Sequence, residues 1–207
     1  MKKQWRDDLD TWASPIMANL LWVIFCVPVI TLPLAFIGLF ACMFYWMDDR
    51  HTQVFSIFFR TIRKAWWKAY LLLVLNVLIG GFLAFNLLIV SQMDWNNPLT
   101  YITFGATLFC TLIFLAATIP AWVLISIWDV PFKQIVSFSV KLVFVQPFWT
   151  VGLAVVFALI LVVSFASSAA LVITVTGALA AYVACWTTFH LLRKYFSRED
   201  LQLFDVI

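Results

Sequence analysis

From Ser14 to Met47 the chain runs without a charged residue, and uncharged apolar blocks recur at Tyr70–Met93, Leu99–Trp128 and Val143–Leu192. About 20 apolar residues suffice to cross a ~30 Å hydrocarbon core as a helix, in which every backbone amide finds its partner inside the segment. The pattern therefore predicts an all-α fold: a polytopic transmembrane helical bundle with about five spans. The fourth block is long enough for two of these, with a turn near Ser164-Phe165-Ala166-Ser167-Ser168.

The first block carries Pro28-Val29-Ile30-Thr31-Leu32-Pro33 at its middle. Proline removes a helix hydrogen bond and disfavours the helical conformation of the residue before it. Two readings stay open. In the preferred one the block is a single long span broken at the prolines, with the N-terminus outside and five crossings. In the other the prolines form the apex of a hairpin, with the N-terminus inside and six crossings or a re-entrant pair. Lys2, Lys3 and Arg6 favour the second, whereas each apolar half is short for spanning.

Between blocks the periodicity changes. In Gln53–Lys68, apolar Val54, Phe55, Phe58, Phe59, Ile62 and Trp66 share one helical face, and Gln53, Ser56, Arg60, Arg63 and Lys64 the other. This predicts an interfacial amphipathic helix, with Trp66 and Trp67 at the headgroup level where the next span begins. In Asp129–Leu142, Lys133, Ser137 and Lys141 recur every fourth position as a polar stripe, and Pro131 suits the first helical turn. The two stretches resemble each other loosely, each running from an acid through an amphipathic helix to an aromatic approach to the next span.

Composition supports the same picture: 65% of residues are hydrophobic, 11% are charged and the mean hydropathy is +1.02. Neither end is long enough to bury a core of its own. The expected organisation is a single integral membrane domain over 1–207: a head at 1–13, the proline-broken segment at 14–47, an amphipathic loop at 48–69, spans at 70–93 and 99–128, a second amphipathic loop at 129–142, a helical hairpin at 143–192 and a tail at 193–207. The acidic residues Asp7, Asp8 and Asp10 and the lack of a short apolar run before a cleavage site argue against a cleaved signal peptide.

Basic residues set the expected orientation, because short loops rich in Lys and Arg are retained in the cytoplasm. Arg50, Arg60, Arg63, Lys64 and Lys68 precede the second block, Lys133 and Lys141 the fourth, and Arg193, Lys194 and Arg198 follow it. The connection at 92–98 and the turn at 164–168 have no basic residue and should face outward. The expectation is a multi-pass protein of the bacterial plasma membrane with a cytoplasmic C-terminus.

Candidate chemistry is sparse. No nucleophilic triad spacing, phosphate loop, HExxH or dinucleotide turn occurs. His51 and His190 sit at expected membrane edges, and Cys26, Cys42, Cys110 and Cys185 are scattered singly through apolar blocks as small hydrophobes. No catalytic residue, metal ligand or cofactor site is expected. No Asp, Glu, Lys or Arg lies deep in an apolar block, which argues against an ion-coupled pump. The neutral groups there, Asn19, Thr31, Asn76, Asn86, Thr107, Thr111, Thr118, Ser126, Thr174, Thr176 and Thr187, are expected to bond between helices. Asn76 with Gly80-Gly81 is the candidate for close helix approach.

The run Asn19-Leu20-Leu21-Trp22 through Pro28-Val29-Ile30-Thr31-Leu32-Pro33, followed by Phe58-Phe59-Arg60-Thr61-Ile62-Arg63-Lys64, resembles the bacterial YesL family. Its members share an Asn-Leu-Leu-Trp opening, a proline-bounded break and a basic Phe-Phe-Arg segment. Trp128-Asp129 and the helix after it resemble the family's second cytoplasmic loop, so the similarity extends over Asn19 to Tyr195. Leu32 departs from the glycine many relatives carry there, leaving a stiffer break.

The family is a domain-of-unknown-function group of small polytopic membrane proteins, often encoded beside sugar-uptake ABC transporters, and it carries over no catalytic residue. What the resemblance implies is a non-enzymatic accessory or interaction subunit of a membrane transport complex linked to carbohydrate uptake. Its partners would be membrane lipids and ABC transporter permease subunits or other membrane proteins, and not nucleic acid. Arg60, Arg63 and Lys64 are the candidate contacts with a partner or anionic lipid, and Pro28, Thr31 and Pro33 shape the broken segment. The alternative is a small permease or channel for a neutral solute, with the broken segment lining its path.

Overall fold

Proline chemistry decides the first feature of the structure. In a computed structural model, which describes residues 2–47, 54–149, 152–153, 155–156, 159 and 177–195, helix α1 (Lys2–Cys26) stops just before Pro28. A 3-10 turn (Val29–Thr31) follows, and helix α2 (Leu32–Met47) starts with Pro33 in its first turn, where a missing N–H costs nothing. Trp22 and Phe36 lie on opposite sides of the turn with ring centroids 6.0 Å apart. In one straight helix fourteen residues would separate them by about 21 Å. The proline segment is therefore the apex of a hairpin, and the reading of a single broken span is corrected. Turn residues outside helical geometry reverse the chain, and the two apolar faces then bury each other.

Helix α3 (Val54–Ser91) and helix α4 (Pro98–Ile127) form a second, longer hairpin. Its 92–97 connection is built by side chains suited to turns. Asp94 accepts from the Asn96 backbone N–H at 3.0 Å, the Asn97 side chain caps α4 by accepting from Leu99 N at 3.0 Å, and Pro98 occupies the first helical turn. Trp95 closes the turn against Tyr101 and Phe104. Helix α5 (Phe132–Val145) follows Pro131, and helix α6 (Gly177–Tyr195) completes the described elements, all of which are helical. The expected turn at 164–168 lies outside the described residues.

Helix α2 is the centre. It packs against α1, α3, α4 and α6, and Ala35, Ile37, Leu39, Ala41 and Met43 are buried there. A helix apolar all round needs cover on every side, and three neighbouring helices plus the end of α4 supply it. Glycines permit one close approach of α3 to α2 and another of α6 to α1. A Cβ on Gly38 would stand 2.5 to 2.9 Å from ring atoms of Phe58, and one on Gly177 within 2.6 to 2.8 Å of Trp22 and Asn19. Gly80 is only in ordinary contact range of Phe114 and Gly81 faces open space, so the expected close approach at Gly80-Gly81 is corrected. The pair lies among exposed apolar residues of α3, such as Val77, Leu78 and Phe82.

Much of the longer hairpin is uncovered. Val74, Val77, Leu78, Phe82, Phe85 and Leu88 of α3 and Leu99, Ile102, Phe109 and Leu112 of α4 are exposed. Among the described residues three stretches are long and apolar enough to cross a membrane, Val29–Met47, Val54–Ser91 and Pro98–Ile127, with a shorter apolar helix at Ser14–Cys26. The protein is of membrane type.

Candidate functional site

The amphipathic stretch before the second apolar block is not a separate interfacial helix. It is the first part of α3, continuous through Trp66, Trp67 and Lys68 into the apolar run. Its buried positions, Phe58, Thr61, Ala65, Ala69 and Leu72, recur at three- and four-residue spacing and lie against the α1–α2 hairpin. Of the apolar side expected to meet lipid, Phe58 is buried in the gap that Gly38 leaves on α2, Val54 and Ile62 are half-buried, and Phe55, Phe59 and Trp66 remain exposed. Uninterrupted helix formers from Ala65 to Leu75 leave nothing to break the rod.

Arg60, Arg63 and Lys64 are exposed, as are Ser56 and Trp67; Arg60, Arg63, Lys64 and Trp67 follow i, i+3, i+4 and i+7 spacing. The structure separates their roles. Lys64 Nζ stands 3.1 Å from one carboxylate oxygen of Asp129, and Lys68 Nζ 2.8 Å from the other. Asp129 follows α4, so this clamp ties the start of the α4–α5 connection to α3. The two lysine ammonium groups, Lys68 foremost, hold the Asp129 carboxyl below the usual carboxylate range. Among the described residues Arg60 and Arg63 meet no acidic side chain. Beside them Trp66 and Trp67 make a T-shaped pair at 5.9 Å and remain half exposed.

Pro28, Thr31 and Pro33 lie at the hairpin apex. The Thr31 hydroxyl donates to the Phe25 carbonyl at the end of α1, with the Pro28 carbonyl at 2.8 Å as the alternative acceptor. Thr31 N–H also donates to Pro28 O at 3.0 Å. The side chain is thus committed to satisfying helix-end carbonyls. From α3, the Tyr70 hydroxyl donates to Ile30 O at 2.8 Å. Phe25 packs edge-on against Phe58 and Phe59, with centroids 5.2 and 5.6 Å away. The apex therefore flanks the stretch of α3 that carries Arg60 and Arg63, and the two sets of sequence-selected residues form one region. Tyr70 was not singled out by the sequence; its only signal was its position at the start of an apolar block.

The second amphipathic stretch keeps Lys133, Ser137 and Lys141 exposed on α5 with Ile135, Ser139 and Leu142 buried opposite. The neutral polar residues behave differently from expectation. Asn86, Thr107, Thr111, Thr118, Ser126 and Thr187 all donate to carbonyls three or four residues earlier in their own helices. A short side chain on a helix reaches that carbonyl without waiting for a partner helix. Thr174 and Thr176 lie outside the described residues. No group of three His, Cys, Asp or Glu side chains placed to hold a metal occurs among the described residues.

A family described as "Protein of unknown function, DUF624" matches residues 16–87, the segment from α1 through most of α3. The protein described as "Uncharacterized protein YesL" from Bacillus subtilis (strain 168) is 28% identical over 149 residues, covering 70% of this chain and 69% of that protein. No solved structure gives a significant match.

Proposed function

We propose that this chain, which is similar to the DUF624 family over residues 16–87 and to the YesL protein, is a non-enzymatic membrane protein acting as an accessory or interaction subunit of a membrane transport complex, with carbohydrate uptake as the associated process. The observation that carries this reading is the open face of α3. Arg60 and Arg63 project beside two half-exposed tryptophans, while Lys64 and Lys68 are held by Asp129. Such a face is suited to contact rather than to catalysis, since among the described residues its two arginines meet no acidic side chain and the nearby Asp129 carboxylate is held by Lys64 and Lys68. Most polar groups within the helices are spent on their own backbones, and Thr31 is spent on the apex. These commitments favour a subunit over a solute path.

On this reading the Arg60–Lys68 end of α3 and the tail are cytoplasmic in a bacterial cell membrane, and the 92–97 turn is outside. Lys68 and Ser91 are separated by about 35 Å of helix axis, enough to reach across a ~30 Å core. The test is purification of the full chain from its native membrane in mild detergent, beside a variant with Arg60→Gln and Arg63→Gln. A stoichiometric membrane complex that the variant loses, while its thermal midpoint is unchanged, is the expected result. A homogeneous protein that elutes alone and moves solute in liposomes would overturn the proposal.

A further inference from the structure

The contact face and the hairpin apex share one level of the molecule. A helical side chain leans toward the N-terminus of its helix, so the hydrogen bond from Tyr70 sets Ile30 beside the Trp66–Tyr70 turn. The Phe25 contacts set the end of α1 about two to three turns earlier, beside Phe58 and Phe59. At this level Val27, Val29 and Ile30 are 79%, 76% and 76% exposed, more than any other aliphatic side chain described. A water-facing turn favours polar residues and glycine; three β-branched aliphatics at an apex need apolar cover.

What adjoins them fixes its nature. Immediately past Trp66 and Trp67 begins the run Tyr70–Ser91, about 33 Å of helix exposed on its apolar faces, which matches one hydrocarbon core. Tryptophans at the end of such a run mark the headgroup boundary. Arg63 lies about 6 Å and Arg60 about 10 Å along the axis beyond Trp67, within or at the edge of the headgroup layer. Guanidinium groups bind phosphate through paired N–H donors.

We propose that Arg60 and Arg63, with the apex Val27, Val29 and Ile30, hold an anionic phospholipid, its phosphate on the guanidiniums and its acyl chains along the apex and the exposed α3–α4 hairpin. This names the partner of the contact face and rests on the reading of that face given above. It also sets the α1–α2 hairpin against the near surface of the bilayer through its apex.

The probe is a vesicle of phosphatidylcholine and phosphatidylglycerol, into which the full-length protein is reconstituted, followed by native mass spectrometry of the lipids it retains. Wild type is expected to enrich phosphatidylglycerol over its bulk fraction. Each arginine near an anionic surface contributes about fivefold, so Arg60→Gln with Arg63→Gln should lose up to about thirtyfold. Lys133→Gln with Lys141→Gln removes the same charge from α5 and should retain the enrichment. Arg60→Lys with Arg63→Lys should retain part of it, and Ile30→Asp should lose it. Absence of enrichment in wild type, or equal loss from the α5 variant, overturns the lipid site. Loss of a co-purifying complex without lipid enrichment assigns the face to protein and overturns the lipid site alone. Enrichment with no co-purifying complex supports the lipid site and ends the accessory reading.

Discussion

Gly38 tests the central packing of the bundle, because alanine there must displace a side chain that has nowhere to go. The new Cβ would lie 2.5, 2.6 and 2.9 Å from Cε2, Cδ2 and Cζ of Phe58. Ordinary contact begins near 3.4 Å, so the ring must move by almost 1 Å. Phe58 is fully buried and wedged between Phe25 and Phe59. Overpacking of this kind costs about 1 to 3 kcal/mol, and the clash with several ring atoms places Gly38→Ala in the upper half of that range. The better helix propensity of alanine returns about 1 kcal/mol. The net loss is about 1 to 2 kcal/mol, or roughly 2 to 8 °C in thermal midpoint for a chain of this size.

The assay is thermal unfolding of the purified protein in detergent, followed by intrinsic fluorescence. Gly81→Ala is the control, because its Cβ meets nothing within 4 Å and only the propensity gain remains. It should leave the midpoint unchanged or raise it. Phe58→Leu with Gly38→Ala should recover part of the loss, since the branched side chain can vacate the space, giving a coupling of at least about 0.5 kcal/mol. If Gly38→Ala is no less stable than wild type, or if Gly81→Ala is equally destabilised, the α2–α3 contact described above is wrong.

Further outcomes follow from the apex and the clamp. Thr31→Val leaves helix-end carbonyls without the hydroxyl and should cost about 1 kcal/mol in the same assay, with Tyr70→Phe costing a similar amount. Asp129→Asn should lower stability by under about 1 kcal/mol, because the exposed pair is screened. Its pH dependence has a definite sign: the carboxyl is held below its unfolded value of about 3.9, so the contribution is complete above that pH and fades as pH falls through the lowered native value. Thermal midpoints of wild type and Asp129→Asn should therefore differ at neutral pH and converge in acid, and a gap that widens in acid would contradict the clamp. A cysteine at Asn96 should react with an impermeant maleimide added to whole cells, whereas labelling only after lysis would reverse the proposed orientation.

How the sequence reading fared depends on the range of the interaction involved. Helix existence was legible, because uncharged runs such as Leu99–Trp128 admit one spanning solution and α4 occupies almost the same residues. The cation–tryptophan order Arg60, Arg63, Lys64, Trp66, Trp67 was legible, since spacing alone puts these side chains on neighbouring faces. The division among them was not. Asp129 lies 61 residues beyond Lys68, and only the return of α4 alongside α3 brings that carboxylate to Lys64 and Lys68 while leaving Arg60 and Arg63 open.

Local chemistry also determined that the chain must break at Pro28 and that Thr31 would sit in the break. Whether the two halves continue or fold back was a tertiary matter. The loss of hydrogen bonds at a proline is the same in both cases, and the choice falls to whether α1 and α2 can cover one another. Likewise, glycine's small size is visible in sequence at Gly38, Gly80 and Gly177 alike. Which of them admits a neighbour depends on where Phe58, Phe114 and Trp22 arrive. The sequence by itself determined the solvent, the helices and the order of charge along them. Tertiary structure decided which apolar positions meet protein, which cations are neutralised, and that the proline hairpin packs against the stretch of α3 that carries the arginines, because each of these depends on contacts between residues far apart in the chain.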